Sequence, residues 1–110
     1  VLLLLLSTFL VIINLSKMQN HTPKLINDPF TNVKQYRSAI YNELAKYHLE
    51  NYTTVVVALM QQESRGKGGD PMQASESAGL PRNTINDPNQ SIQLGVKHFQ
   101  RILTYGQQNK

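Results

Sequence analysis

Thr53 to Ser64 reads TTVVVALMQQES, and whether it forms a strand or a helix decides the fold. Three successive valines favour a strand. The continuation favours a helix: Val56, Leu59, Met60 and Glu63 stand at i, i+3, i+4 and i+7, one face of a 3.6-residue repeat. The helix cannot run much further. Gly66, Gly68 and Gly69, followed by Asp70-Pro71, break the chain.

The segments on either side have the same character. Upstream, Val33, Tyr36, Ile40, Leu44 and Tyr47 recur every three or four residues, which predicts an amphipathic helix capped by Thr31 or Asn32. Downstream, Met72 to Ala78 is a short element stopped by Gly79, with Pro81 close behind. Asn83 to Asn86 reads as a loop. Asp87-Pro88 is then a strong helix start, with Asp as cap and Pro at the first helical position. Ile92, Val96, Phe99 and Leu103 give this last helix an apolar stripe, and Gly106 is expected to close it. The expected class is all-α, without internal repeats.

The chain has 110 residues, of which 40% are apolar, but that apolar content is unevenly spread. Val1 to Leu15, VLLLLLSTFLVIINL, contains twelve apolar residues, and no charge precedes Lys17. A spanning helix needs roughly 20 apolar residues and a signal-peptide core about 7–15. No small-residue cleavage site follows, so the segment reads as an uncleaved, N-terminally incomplete transmembrane anchor, with a signal peptide as the alternative. Either reading puts the polar part outside the cytoplasm. Residues 16–32, with Pro23 and Pro29, form a linker, and 33–110 form the folded domain.

Eleven Lys+Arg against seven Asp+Glu give +4, which suits an anionic surface without indicating nucleic acid. The absence of cysteine excludes disulfides, thiolate zinc sites and thiol nucleophiles. His21, His48 and His98 are scattered without metal-ligand spacing, so neither a metal nor a cofactor is implied. Gly66 to Gly69 lacks the Lys-Ser/Thr of a phosphate loop. Asn83 to Asn89 offers only Asp87 as an acidic ligand, too little for calcium. Tyr36, Tyr41 and Tyr47 read as core and interface rather than as a base-stacking platform.

Glu63 is the residue with chemical promise. Helical spacing extends the Val56–Leu59–Met60 face to its carboxyl, so it is expected to point towards apolar packing at the helix end. There the charged form is disfavoured, and a glutamate that keeps its proton is what acid-catalysed cleavage of a glycosidic bond requires. Spacing alone leaves open a glutamate turned to solvent or paired with Arg65 or Lys67.

The ordered motifs Gln61-Gln62-Glu63-Ser64, Met72-Gln73 and Asp87-Pro88-Asn89-Gln90-Ser91-Ile92-Gln93-Leu94-Gly95-Val96-Lys97-His98-Phe99 resemble the lysozyme-like superfamily of goose-type lysozymes and soluble lytic transglycosylases. The short loop from Glu63 to Met72 and the run Gln73-Ala74-Ser75-Glu76-Ser77 are most similar to its CwlT-like branch. That branch is found in membrane-anchored wall hydrolases of Gram-positive bacteria, often on conjugative elements. The resemblance spans about Val33 to Gly106 and implies a lysozyme-like helical domain acting on peptidoglycan. Glu63 would be its general acid, cutting the β-1,4 bond between N-acetylmuramic acid and N-acetylglucosamine. Ser64 would sit behind it, orienting the carboxyl or the helix end, Met72 and Gln73 would line the sugar groove, and Ser75, Glu76 and Ser77 would form its edge.

A second carboxylate decides the mechanism. Asp70 is the first candidate, folded back across the glycine loop by residues that accept positive φ, or else a turn initiator beside Pro71. Glu76 is the second, and Asp87 reads as a helix cap. Without a second carboxylate the reaction would be that of a lytic transglycosylase. The chain also departs from the family: no Ala-Tyr-Asn motif and no cysteine peptidase domain follow the Asp-Pro helix. The expectation is a truncated domain with an incomplete C-terminal half, whose uncovered apolar faces make it fold poorly and leave it weakly active. An inactive wall-binding or conjugation-associated membrane protein is therefore a further alternative. The sequence leaves the oligomeric state open.

Overall fold

The computed structural model describes residues 28–108. The expected anchor over 1–15 and most of the linker over 16–32 lie outside the described residues. Among the described residues all regular elements are helical, and no helix is long and apolar enough to cross a membrane.

Within residues 28–108, five α-helices and one 3₁₀ turn follow in order: α1 (Thr31–Lys34), α2 (Arg37–Ala45), the 3₁₀ turn (Glu50–Tyr52), α3 (Thr53–Ser64), α4 (Ala74–Ser77) and α5 (Pro88–Gln108). The single helix expected from Val33 to Tyr47 is divided at Gln35–Tyr36. Backbone hydrogen bonding continues across the division: Tyr36 N–H donates to Val33 O (3.0 Å) and Ile40 N–H to Tyr36 O (2.9 Å). The apolar face is preserved: Val33, Ile40 and Leu44 are fully buried, and Tyr36 and Tyr47 pack against them. Neither Thr31 nor Asn32 caps α1. Asp28 ties down that end instead, accepting the Phe30 N–H on Oδ1 (2.9 Å) and pairing with Lys34.

Helix α2 ends at a left-handed His48, where Leu49 N–H reaches back to Leu44 O (3.0 Å), closing the last turn as a Schellman motif does. Helix α3 occupies Thr53–Ser64, as its periodicity predicts, and stops at a left-handed Arg65. Helix α5 starts where Asp87-Pro88 predicts, with Asp87 Oδ1 accepting the Asn89 N–H (2.9 Å). It does not close at Gly106 but continues to Gln108, since one glycine costs a helix only about 1 kcal/mol.

Helix α5 packs across α4 and α2, and α2 packs on α3. Their shared core joins Val33, Ile40, Leu44, Val56, Met60, Ile92 and Val96 to Met72, Ala74 and Ile85 from the connecting loops and α4. This core clamps the C-terminal end of α3 near the middle of α5, with the Gly66–Gln73 loop and α4 between them. That junction positions the site.

Candidate active site

A groove of about 330 Å³ opens between α3 and α5. Helix α3 contributes Leu59 and Glu63, and the loop contributes Met72 and Gln73. Glu76 and Ser77 come from α4, and Gly95, His98, Phe99 and Ile102 from α5. Glu63 does not sit within apolar packing, as spacing suggested. Val56 and Met60 fill the core, whereas Leu59 and Glu63, on the adjacent strip of α3, are exposed to the groove. The Glu63 carboxyl has no ion pair to Arg65 or Lys67 and no hydrogen-bond partner among the described residues. It stands free in a wall that also presents Leu59, Phe99 and Ile102.

Ser64 lies behind the groove. Its Oγ donates to Pro71 O (2.6 Å) and accepts the Gly66 N–H (3.0 Å), so it ties the end of α3 to both ends of the glycine loop. Gly66 is irreplaceable on two counts: its φ is +70°, and a Cβ would lie 2.9 Å from the backbone of Asn32 and Val33. Gly68 also has positive φ; Gly69 does not.

The loop delivers Asp70 inwards, away from the groove. It is 3% exposed, and its two oxygens accept four hydrogen bonds. Oδ1 takes the Ala74 N–H (2.9 Å) and the Ser91 hydroxyl (2.7 Å). Oδ2 takes the Ser75 N–H (3.0 Å) and the Ser75 hydroxyl (2.6 Å). Burial alone would raise the pKa of this carboxyl. The hydrogen bonds from Ser75, Ser91 and the two amides outweigh burial and hold it below the usual carboxylate value. Ser75 belongs to the same knot, not to the groove edge: it is buried, and its Oγ also accepts the Ile85 N–H (3.0 Å). Ser91 completes the link by accepting the Met72 N–H (2.9 Å).

Met72 is thereby held on the groove floor, and Gly95 makes room for it. A Cβ on Gly95 would come within 2.8–2.9 Å of the Met72 side chain. Gln73 adopts a left-handed backbone (φ 49°) and is pinned by its own amide, which donates to Asp70 O (3.0 Å) and Asn83 Oδ1 (3.2 Å). Arg82 Nε donates to its Oε1 (3.3 Å).

The structure therefore brings Glu63, Met72, Gln73, Glu76 and Ser77 to one groove, sets Ser64 behind it, and assigns Asp70 and Ser75 to the buried knot. Sequence reasoning missed Gly95, His98 and Ile102, and read Phe99 as core. A signal for them exists, since Gly95, His98, Phe99 and Ile102 recur at helical spacing on one strip of α5. Asp87 serves as the predicted cap. Among the described residues no group of three or more His, Asp or Glu could hold a metal ion.

The family model described as lysozyme-like matches residues 30–110. The chain belongs to this lysozyme-like family. It is 45% identical over 73 residues to an uncharacterized membrane protein of Bacillus subtilis, YocA, covering 66% of this chain and 32% of that protein. It is 39% identical over 71 residues to the bifunctional muramidase/DL-endopeptidase CwlT of the same organism, covering 64% of this chain and 22% of CwlT. A solved Staphylococcus aureus structure, described as similar to lipoprotein of the NLP/P60 family, superposes with a TM-score of 0.67. It shares 40% identity and is matched over 70% of this chain and 26% of its own. The chain thus spans about a third or less of the length of these relatives. Its lysozyme-like domain is of the CwlT-like kind, and two glutamates, Glu63 and Glu76, line its groove.

Proposed function

We propose that this lysozyme-like domain cleaves the glycan of bacterial peptidoglycan at the β-1,4 bond between N-acetylmuramic acid and N-acetylglucosamine, with Glu63 as general acid. The observation that carries this reading is the Glu63 carboxyl at the end of α3, without a partner among the described residues, in the wall of an open groove between α3 and α5. The 39% identity to a protein named as a muramidase supports the substrate class. Leu59, Phe99 and Ile102 offer apolar surface to a sugar ring, and the pinned Gln73 amide offers polar contact. A glycan seated there would displace water from around Glu63 and bring the leaving oxygen within reach of its carboxyl.

The partner of Glu63 is the open chemical choice. Asp70 has each of its four acceptor positions filled and does not line the groove, so it is unsuited to activating water. We assign it a structural role. Glu76 shares the groove with Glu63 and is the carboxylate suited to act as base in an inverting hydrolysis. The engagement of Asp70 equally favours a second route, the lytic transglycosylase reaction, in which a hydroxyl of the sugar itself attacks. In the cell the domain would act on the wall side of the membrane, with residues 1–15 as anchor; the name of the Bacillus membrane protein is in keeping with that placement.

Mass spectrometry of fragments released from purified peptidoglycan by the full chain in detergent tests this. Fragments with reducing ends should form, fall about 10²–10⁴-fold with Glu63→Gln, and fall again with Glu76→Gln. Anhydro products unaffected by Glu76→Gln would establish the transglycosylase route. Release that survives Glu63→Gln would overturn the assignment of the acid.

A further inference from the structure

The groove does not end at Ser77 and His98. Both also line a smaller, adjoining pocket of about 100 Å³ between α4 and α5, floored by Ala74, Ala78 and Leu94 and rimmed by Lys97 and Arg101. Lys97, His98 and Arg101 stand at i, i+1 and i+4 on α5, so their side chains converge on one strip. No acidic side chain lines this pocket, and Glu76 contributes to the groove instead. None of the three basic residues has an ion pair or hydrogen bond among the described residues. Two full positive charges and an imidazole therefore surround a concavity with an apolar floor and no counter-charge. Such an arrangement attracts an anion, and Arg and Lys together bind a carboxylate through charge-assisted hydrogen bonds. The volume suits a small charged group on a short chain and not a second sugar.

The pocket's continuity with the groove suggests where that anion comes from. The muramic acid of peptidoglycan carries a peptide branching from its ring, so a ligand lying along the groove projects carboxylates to the side. We propose that the Lys97–His98–Arg101 pocket is a subsite for a carboxylate of this peptide stem, selecting peptide-bearing glycan over bare glycan. The proposal rests on the assignment of peptidoglycan to the groove, but not on which residue performs the chemistry.

The test is binding by the full chain in detergent, carrying Glu63→Gln to prevent turnover, of two soluble fragments: glycan bearing peptide stems, and the same glycan after amidase removal of the stems. Lys97→Gln/Arg101→Gln, which leaves His98 and the groove lining intact, should weaken the stem-bearing fragment about five- to tenfold at low salt, in line with two exposed ion pairs. Stem-free glycan should bind unchanged, and the difference between the fragments should shrink as ionic strength rises. Equal loss for both fragments, or loss for neither, overturns the subsite. So does a loss confined to a polyol-phosphate wall polymer, which would reassign the pocket to phosphate. Failure of the parent protein to bind either fragment would sink the peptidoglycan assignment itself. Differential binding without any cleavage by the Glu63 form would sink only the catalytic reading.

Discussion

Two carboxylates seven residues apart, Glu63 and Asp70, have opposite surroundings. Asp70 is buried and accepts four hydrogen bonds from Ala74, Ser75 and Ser91. Glu63 is exposed in a groove and accepts none among the described residues. The contrast separates the work of holding the fold from the work of chemistry. A carboxylate with every lone pair engaged is fixed in place but has nothing left with which to take or give a proton. An unengaged one contributes little to folding and is available to a ligand. The two are mechanically joined, since Ser64 ties the end of α3 to Pro71, the residue after Asp70.

The sharpest way to break this comparison is to exchange the two losses. Asp70→Ala strands two buried hydroxyls and two buried N–H groups, and the expected cost is about 3–5 kcal/mol, a large part of a small domain's stability. Denaturant titration should show it directly. Glu63→Gln, by contrast, should shift the same titration by no more than about 0.5 kcal/mol, as exposed substitutions do. An Asp70 variant that melts normally would mean that the buried knot is not what holds the Met72–Ala78 segment.

A smaller effect tests the link between knot and groove. Gly95→Ala introduces a methyl 2.8 Å from Met72 Cβ, which is not the flexible end of that side chain, so α5 or the loop must shift. The expected destabilisation is about 1–3 kcal/mol. Because the Met72 N–H is held by Ser91, the displacement should also weaken glycan binding in the groove. A stability loss with unchanged ligand affinity would show that Met72 is scaffold only.

Much of the helical layout was legible from the sequence. The bounds of α3 follow from apolar periodicity and the glycines after it, and the start of α5 follows from Asp87-Pro88, because both signals are local. Periodicity identified Val56, Met60, Ile92 and Val96 as core, and they are. It could not say how far along a helix the core extends. The stripe of α5 passes from buried Ile92 and Val96 to half-buried Phe99, which lies in the groove wall and meets Tyr52 edge-on at 5.6 Å between ring centroids. The surroundings expected for Glu63 differ for the same reason: its neighbour on the helix face, Leu59, is itself 39% exposed. The direction of Asp70 was beyond local reading, because it depends on Ser91, 21 residues away, and on the close packing of α5 against α4.

The smallest expected effect is also the most specific to the knot. The Asp70 pKa is lower in the folded protein than in the unfolded chain, because its hydrogen-bond donors favour the charged form more than burial opposes it. A depressed folded pKa means that the unfolded state binds the proton first, so the stabilisation is complete above the unfolded value of about 3.9 and is lost as pH falls towards the folded one. The wild-type chain should therefore lose stability progressively on acidification from about pH 5 downwards. Asp70→Asn is already less stable at neutral pH, because one amide N–H now faces donors, and it should lack this component of the acid slope. The two stability curves should converge at low pH, where both side chains are neutral. Parallel curves would show that acid unfolding is governed by other carboxylates, and would remove the charge on Asp70, though not its hydrogen bonds, from the account of what holds the site in place.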